Sequence, residues 1–357
     1  LSIFALLRTI FPSKPQIVAI GSIACCIQTA FPWSLYGIWP LLPNGASFCT
    51  CMLVASLFIS ALSSRDKMTF LPRYTVGFVL GLLSLAFLQP NTIFTLMAFL
   101  MPYVLWQIGL RANKVSPNTT PKAVKHCTAF LAIFVIALFI FFKLPFLQPT
   151  ITYYWAPLYE PLNGLTAIMS WSLATETPQP QIAVLILCGI AYLICKNKKN
   201  CWLIASLLTS VFIFFIVSAT PESPFKHFVG GYWYNDPYRI AAFCALFSTP
   251  ITAIGVYAIA CILCRPFKQK DTAKSFCCTG CSLLIAVATF APNAITSQGF
   301  LNLRNTAYGQ NSAVWNYLDY GEMDFVKKVK SVIPKDALII NQPFDGSMYA
   351  FGKSGIN

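Results

Sequence analysis

Between Gln16 and Phe290 the chain carries a succession of apolar stretches, each roughly 15–24 residues long and free of charged side chains. A hydrocarbon layer about 30 Å thick is crossed by about 20 helical residues, so these stretches have the length of membrane spans. Basic residues return at every second gap: Arg65/Lys67/Arg73, Arg111/Lys114/Lys122/Lys125, Lys196/Lys198/Lys199 and Arg265/Lys268/Lys270/Lys274. Lys and Arg accumulate in cytoplasmic loops, so the alternation orients the chain with its N-terminus inside. At 57% hydrophobic and 10% charged residues, a soluble globular fold is not expected. A net charge of +14 would elsewhere suggest nucleic acid. Here the charge is divided among short loops, which fits topology and anionic lipid headgroups, and nucleic acid is not expected as a partner.

The pattern predicts an all-α polytopic integral membrane protein with about nine transmembrane helices, at 16–38, 46–62, 74–88, 92–110, 127–142, 181–195, 201–219, 240–263 and 277–290. Pro32 and Pro102 are expected to kink their helices. Residues 1–290 form the transmembrane domain. Residues 291–357 form an extracytoplasmic segment that reads as the start of a small α/β domain. There, Phe325, Val326, Val329, Val332 and Ile333 share one helical face before Pro334. Ala337–Asn341 reads as a strand and Pro343–Ser347 as a turn. Leu1–Ile10 is too short to span, and Arg8 and Lys14 assign it to the cytoplasmic side. The start without Met and the abrupt end suggest part of a longer protein. The expected location is the cell membrane.

The densest polar and aromatic run is Lys226–Arg239, on the external face ahead of a span. Asp236 followed by Pro237 is a helix-start signature, and interfacial Tyr and Trp are ordinary membrane-belt residues. The same residues can also build a site. Arg239 with Lys226 or His227 can hold a phosphate, and Asp236 can act as a base or, with Asn235, bind a divalent cation such as Mg or Mn. Trp233 and Tyr234 offer faces for a sugar. In loop 143–180, Glu160 supplies a second carboxylate to the same compartment. No cofactor is required by any motif.

Cys261-x-x-Cys264 and Cys278-x-x-Cys281 have zinc-ribbon-like spacing. Against fourteen cysteines, most of them in or beside spans, the match reads as chance, and no metal site is assigned. The sequon Asn118-Thr119-Thr120 falls on the cytoplasmic side and is discounted.

The run Tyr232–Ile240 (YWYNDPYRI), and a tail containing Pro334-Lys-Asp-Ala-Leu-Ile-Ile-Asn-Gln-Pro343-Phe-Asp345-Gly346-Ser347, resembles a family of large actinobacterial multi-pass membrane proteins. That family is mostly of unknown function and is similar in layout to GT-C glycosyltransferases. The resemblance implies transfer of a sugar from a polyprenyl-phosphate donor to a cell-envelope glycan, lipid or protein, at the external face. For such a reaction the residues read above would serve with Asp236 and Glu160 as catalytic groups and Arg239, Lys226, His227, Trp233, Tyr234 and Asn235 as substrate-binding groups. The resemblance itself carries over only Asp236 and Arg239, as members of the matching run. The acid that GT-C enzymes carry in their first external loop has no counterpart in the Trp39–Gly45 turn. A transporter or lipid flippase is the alternative, although the spans lack the buried charges that ion coupling needs. A non-catalytic envelope scaffold is the third reading.

Overall fold

The structure is a computed structural model that describes residues 1–35, 41–65, 72–115, 120–175, 177–264, 279–284, 287–288 and 320–334. Two compact units divide the chain, Leu1–Phe300 and Leu301–Asn357. The first contains α1 (Ser2–Ile10), α2 (Pro15–Ala24), α3 (Leu42–Arg65), α4 (Pro72–Leu88), α5 (Asn91–Val115) and α6 (Thr120–Lys143). It continues with α7 (Gln148–Ile151), α8 (Pro161–Met169), α9 (Pro180–Lys196), α10 (Trp202–Ala219), α11 (Pro224–Gly230) and α12 (Pro237–Leu263). No strand occurs among the described residues. Among the described residues six stretches are helical, long and apolar enough to cross a membrane: Pro15–Ser34, Leu42–Ser63, Asn91–Ala112, Lys122–Lys143, Lys198–Ala219 and Pro237–Leu263. Arg73–Leu88 and Pro180–Lys196 are shorter apolar helices, and most of the expected ninth span lies outside the described residues.

α12 is the axis of this unit. Its sequence is apolar all round, and it is buried along nearly its whole length, as expected of a helix with no solvent or lipid stripe. α2, α9 and α10 pack around it, and α3 and α5 form the next layer. The crossing of α9 and α12 is close because both helices place glycine there. A Cβ built on Gly255 would lie 2.0 Å from the Leu185 carbonyl oxygen, and one on Gly189 would lie 2.1 Å from that of Ile251. α6 is the opposite case: none of its apolar span is buried, and it packs chiefly on α5. α1, too short to span, is nonetheless part of the core. Ile3, Leu6, Leu7 and Ile10 are buried, and the helix packs on α2 and α3.

The first span, expected as one helix over 16–38, is broken. α2 ends at Ala24, and a wide-turn segment follows at Thr29–Ser34, with Phe31 extended next to Pro32. Irregular backbone at membrane depth must find partners inside the protein. Gln179 supplies them, and Gln28 ties the broken segment to its neighbours. The Gln28 amide donates to the Ala245 carbonyl (2.8 Å) and Thr249 Oγ1 (3.1 Å), and its oxygen accepts from Trp171 Nε1 (2.8 Å) and Ser248 Oγ (3.0 Å). Gln179 Oε1 accepts from Thr29 N and Oγ1 (3.1 Å each), and Nε2 donates to the Ile27 carbonyl (3.2 Å). Trp171 belongs to the loop after α8, which therefore folds into the bundle rather than lying over it. Gln28→Leu would strand the buried Trp171 N–H and is expected to cost about 1–3 kcal/mol. Thermal unfolding in detergent measures that loss; a change below about 0.5 kcal/mol would show that water or a rotamer change replaces the bond.

Hydrogen bonds across the bundle show which helix ends share a side. Asn44 bonds to Asn91 (3.1 Å), Ser47 to Thr92 (2.6 Å), Trp233 Nε1 to Thr95 (2.8 Å), and Tyr232 Oη to the Leu138 carbonyl (2.7 Å). The starts of α3, α5 and α12 and the end of α6 therefore lie together, at what we call the cap end. At the opposite end Lys14 Nζ meets Tyr257 Oη (3.0 Å), and the Tyr192 and Tyr257 rings touch. By helix direction Arg65, Arg73, Arg111, Lys122, Lys125 and Lys196–Lys199 belong to this basic end.

In the second unit α13 (Tyr320–Val332) matches the expected amphipathic helix and stops before Pro334. Of its apolar face Val326 is buried and Val329 and Ile333 are half-buried, while Phe325 and Val332 are exposed. The expected strand and turn at 337–347 lie outside the described residues.

Candidate functional site

The cap end is built from residues 144–160 and 218–239. α11 is capped by Ser223, whose Oγ accepts from Lys226 N (3.1 Å). The chain then turns through Gly231–Trp233 and enters two left-handed residues in succession, Tyr234 (φ 63°) and Asn235 (φ 50°). Asparagine tolerates that region; tyrosine there costs of order 1–3 kcal/mol and persists only where neighbours enforce it. Gly230 and Gly231 are required by close approach. Cβ atoms there would lie 2.1 Å from Val217 Cγ2 and 2.8 Å from the Ile151 carbonyl oxygen.

Asp236 caps α12 and anchors Arg239. Oδ1 accepts from Tyr238 N (2.9 Å) and Arg239 N (3.4 Å), and Oδ2 lies 3.1 Å from Arg239 Nε. Burial raises the Asp236 carboxyl above its ordinary range, opposed by Arg239 and the two amides. The Arg239 guanidinium sits over the Tyr234 ring at 4.5 Å, and its Nη1 is buried with no hydrogen-bond partner. Tyr153 meets Tyr234 edge-on (6.1 Å), and Trp155 meets Tyr238 (6.1 Å), so loop aromatics surround this pair.

The other polar residues of the run face inward. Lys226 is fully buried and donates to the Trp155 (3.3 Å) and Thr220 (3.4 Å) carbonyls, with Glu222 3.8 Å away. Burial pulls its ammonium below the usual lysine range, with Glu222 acting against the shift. Asn235 donates to the Ile151 (3.1 Å) and Tyr153 (2.9 Å) carbonyls. His227 Nδ1 is 2.7 Å from the Ile151 carbonyl oxygen, and Nε2 pairs with Glu222. These three side chains staple segment 151–155 to the α11 turn. Trp233 is a core residue, bonded to Thr95 and packed on Phe243 (5.1 Å).

The structure thus joins Asp236, Arg239 and Tyr234 in one group, and Lys226, His227 and Asn235 in a second group beside it. Glu160 lies at the same end, exposed at the start of α8, and no hydrogen bond or ion pair links it to Asp236 or Arg239. Glu222 was not singled out from the sequence; its position four and five residues ahead of Lys226 and His227 was the available signal. Both oxygens of Asp236 are engaged by Arg239 and the two amides, while the buried Asn235 Oδ1 has no hydrogen-bond partner. Among the described residues no three His, Cys, Asp or Glu side chains converge on a metal position. Cys264 and Cys281 approach to 3.6 Å, and Cys278 lies outside the described residues.

Long apolar helices, a fully buried central helix and a perimeter helix with bare apolar sides mark a polytopic helical membrane protein. A family model described as a family of unknown function, DUF6541, matches residues 1–357. The chain belongs to that family. No curated protein and no solved structure matches it.

Proposed function

We propose that this protein is a membrane-embedded transferase with the layout of a GT-C glycosyltransferase. It would take a sugar from a polyprenyl-phosphate donor and pass it to a cell-envelope acceptor at the cap end. The observation that carries the reading is Arg239. Its guanidinium is fixed by Asp236 on one side and Tyr234 on its face, while a buried Nη1 remains unpaired. A planar donor held in place away from water is suited to a lipid phosphate. Asp236 positions that guanidinium, and the exposed Glu160 is the carboxylate free to act as a base. The exposed rings of Tyr153 and Tyr154 can stack on a sugar, a task that Trp233 cannot perform from the core. The basic end would be cytoplasmic and the cap end extracytoplasmic, with about nine spans in all and an α/β tail at 291–357 that grips the acceptor.

A flippase reading draws on the broken first span, because interrupted helices line many transport paths. Gln28, however, already uses both amide hydrogens and both lone pairs of its oxygen to hold the bundle together, and transfer is the better reading. Binding of polyprenyl phosphate to the intact chain in phosphatidylcholine vesicles tests the assignment. Arg239→Lys keeps the charge but loses the planar fork, and affinity should fall about 10-fold or more. Unchanged affinity in Arg239→Lys, or equal binding of unphosphorylated polyprenol, would remove Arg239 as the phosphate contact.

A further inference from the structure

α8 is apolar on two opposite sides. Gly164 and Ala167 face the protein, and Gly164 packs so closely that a Cβ there would lie 2.5 Å from Ala219 Cβ and 3.7 Å from Phe215. Leu162, Leu165 and Met169, spaced i, i+3 and i+7, face outward and are exposed at 74%, 48% and 78%. The helix contains no charged residue, and the Thr166 hydroxyl is returned to the Leu162 carbonyl (3.0 Å). An outward apolar stripe of this kind is unfavourable in water and requires an occupant.

α10 shows what that occupant is. Leu208, Phe212, Phe215 and Ala219 follow spacings of four, three and four, so they share one face of that helix. Leu208 and Phe212 are exposed apolar side chains within the Lys198–Ala219 span, which makes this face the one toward lipid. α8 sits on the last two positions of the same face. Ala219 ends the span, so α8 starts near the depth where the hydrocarbon gives way to headgroups and runs inward toward Trp171, which bonds Gln28 inside the bundle. Tyr159, just ahead of α8, is held at two points: its N donates to the Ser218 carbonyl (3.0 Å) and its Oη to that of Leu173 (2.7 Å). The geometry points to α8 as a lipid-facing helix whose Leu162, Leu165 and Met169 sit among the acyl chains of the cap-end leaflet. A second copy is a poor match, because three side chains fall far short of the roughly 800 Å² per partner of a stable interface. The placement also sets Glu160, one residue before α8, at headgroup level.

Photo-crosslinking tests this directly. A benzoylphenylalanine is placed at Leu165 or Met169 of the intact chain, which is reconstituted in phosphatidylcholine vesicles, irradiated and examined by mass spectrometry. The same probe at Phe212, within the span, is the positive control. Lipid adducts are expected at Leu165 and Met169 as at Phe212. Met169 guards against misfolding, since its exposed side chain can be enlarged without touching the core. A covalent dimer, or no lipid adduct at Met169 while Phe212 gives one, overturns the assignment.

Discussion

Gly189→Ala and Gly255→Ala should each destabilise the protein by about 3 kcal/mol, the upper part of the usual overpacking range. Each new methyl would sit about 2 Å from a carbonyl oxygen of the facing helix, where no rotamer change can relieve it. α9 and α12 would have to move apart. The helix-propensity gain of about 1 kcal/mol for Gly→Ala offsets only part of the cost. Once one methyl has spread the helices, the second meets less resistance. The double variant should therefore cost less than the sum of the singles, by about 1–3 kcal/mol. Thermal unfolding of the four proteins in one detergent reads this directly, and strict additivity would mean that the two clashes are relieved independently. Gly21→Ala is the control: its neighbour at 2.1 Å is the tip of the Leu7 side chain, which can rotate away.

Asp236→Ala should be comparably severe. It removes the cap of α12, about 1 kcal/mol, and leaves the Arg239 guanidinium with no counter-charge in a largely buried place. Breaking a buried pair from one side costs about 3–5 kcal/mol, whereas replacing both partners by apolar groups of similar size is often close to neutral. Asp236→Ala combined with Arg239→Met should consequently recover most of the loss. A cost below 1 kcal/mol for Asp236→Ala would show that water reaches the pair, and would weaken the case for a dry phosphate contact. The same cycle separates stability from binding, because Arg239→Lys retains the charge that Asp236 needs.

Hydropathy located the long apolar helices, six of which have the length of a span among the described residues, because exclusion of charge is a local property. The stretch 127–142 falls inside α6, and 240–263 falls inside α12. Helix ends extend past the apolar runs, as in Thr120–Lys143, because a backbone helix does not stop where lipid does. The cap at Asp236-Pro237 was also legible, since its partners are two and three residues away. What the sequence did not reveal is non-local. Lys226, His227 and Asn235 look like a polar site until the carbonyls of Ile151, Tyr153 and Trp155, some 70 to 85 residues upstream, are seen to occupy them. The break after Ala24 was hidden for the same reason: Gln28 is an ordinary polar residue until Trp171 and Ser248 arrive beside it. Pro32 marked the right neighbourhood, whereas Pro102 sits inside a helix that runs unbroken from Asn91 to Val115.

α6 holds to the rest chiefly through α5, and near its end through the bond from Tyr232 to the Leu138 carbonyl, the bond from Gln148 to the Phe142 carbonyl and the contact of the Phe142 and Phe228 rings. A helix attached in this way can change its inclination without disturbing the glycine crossing at the centre. Thickening or thinning of the surrounding bilayer, which costs fractions of a kcal/mol per ångström of mismatch, would be absorbed at this outer strut. The cap would keep its shape while the lipid around it changed.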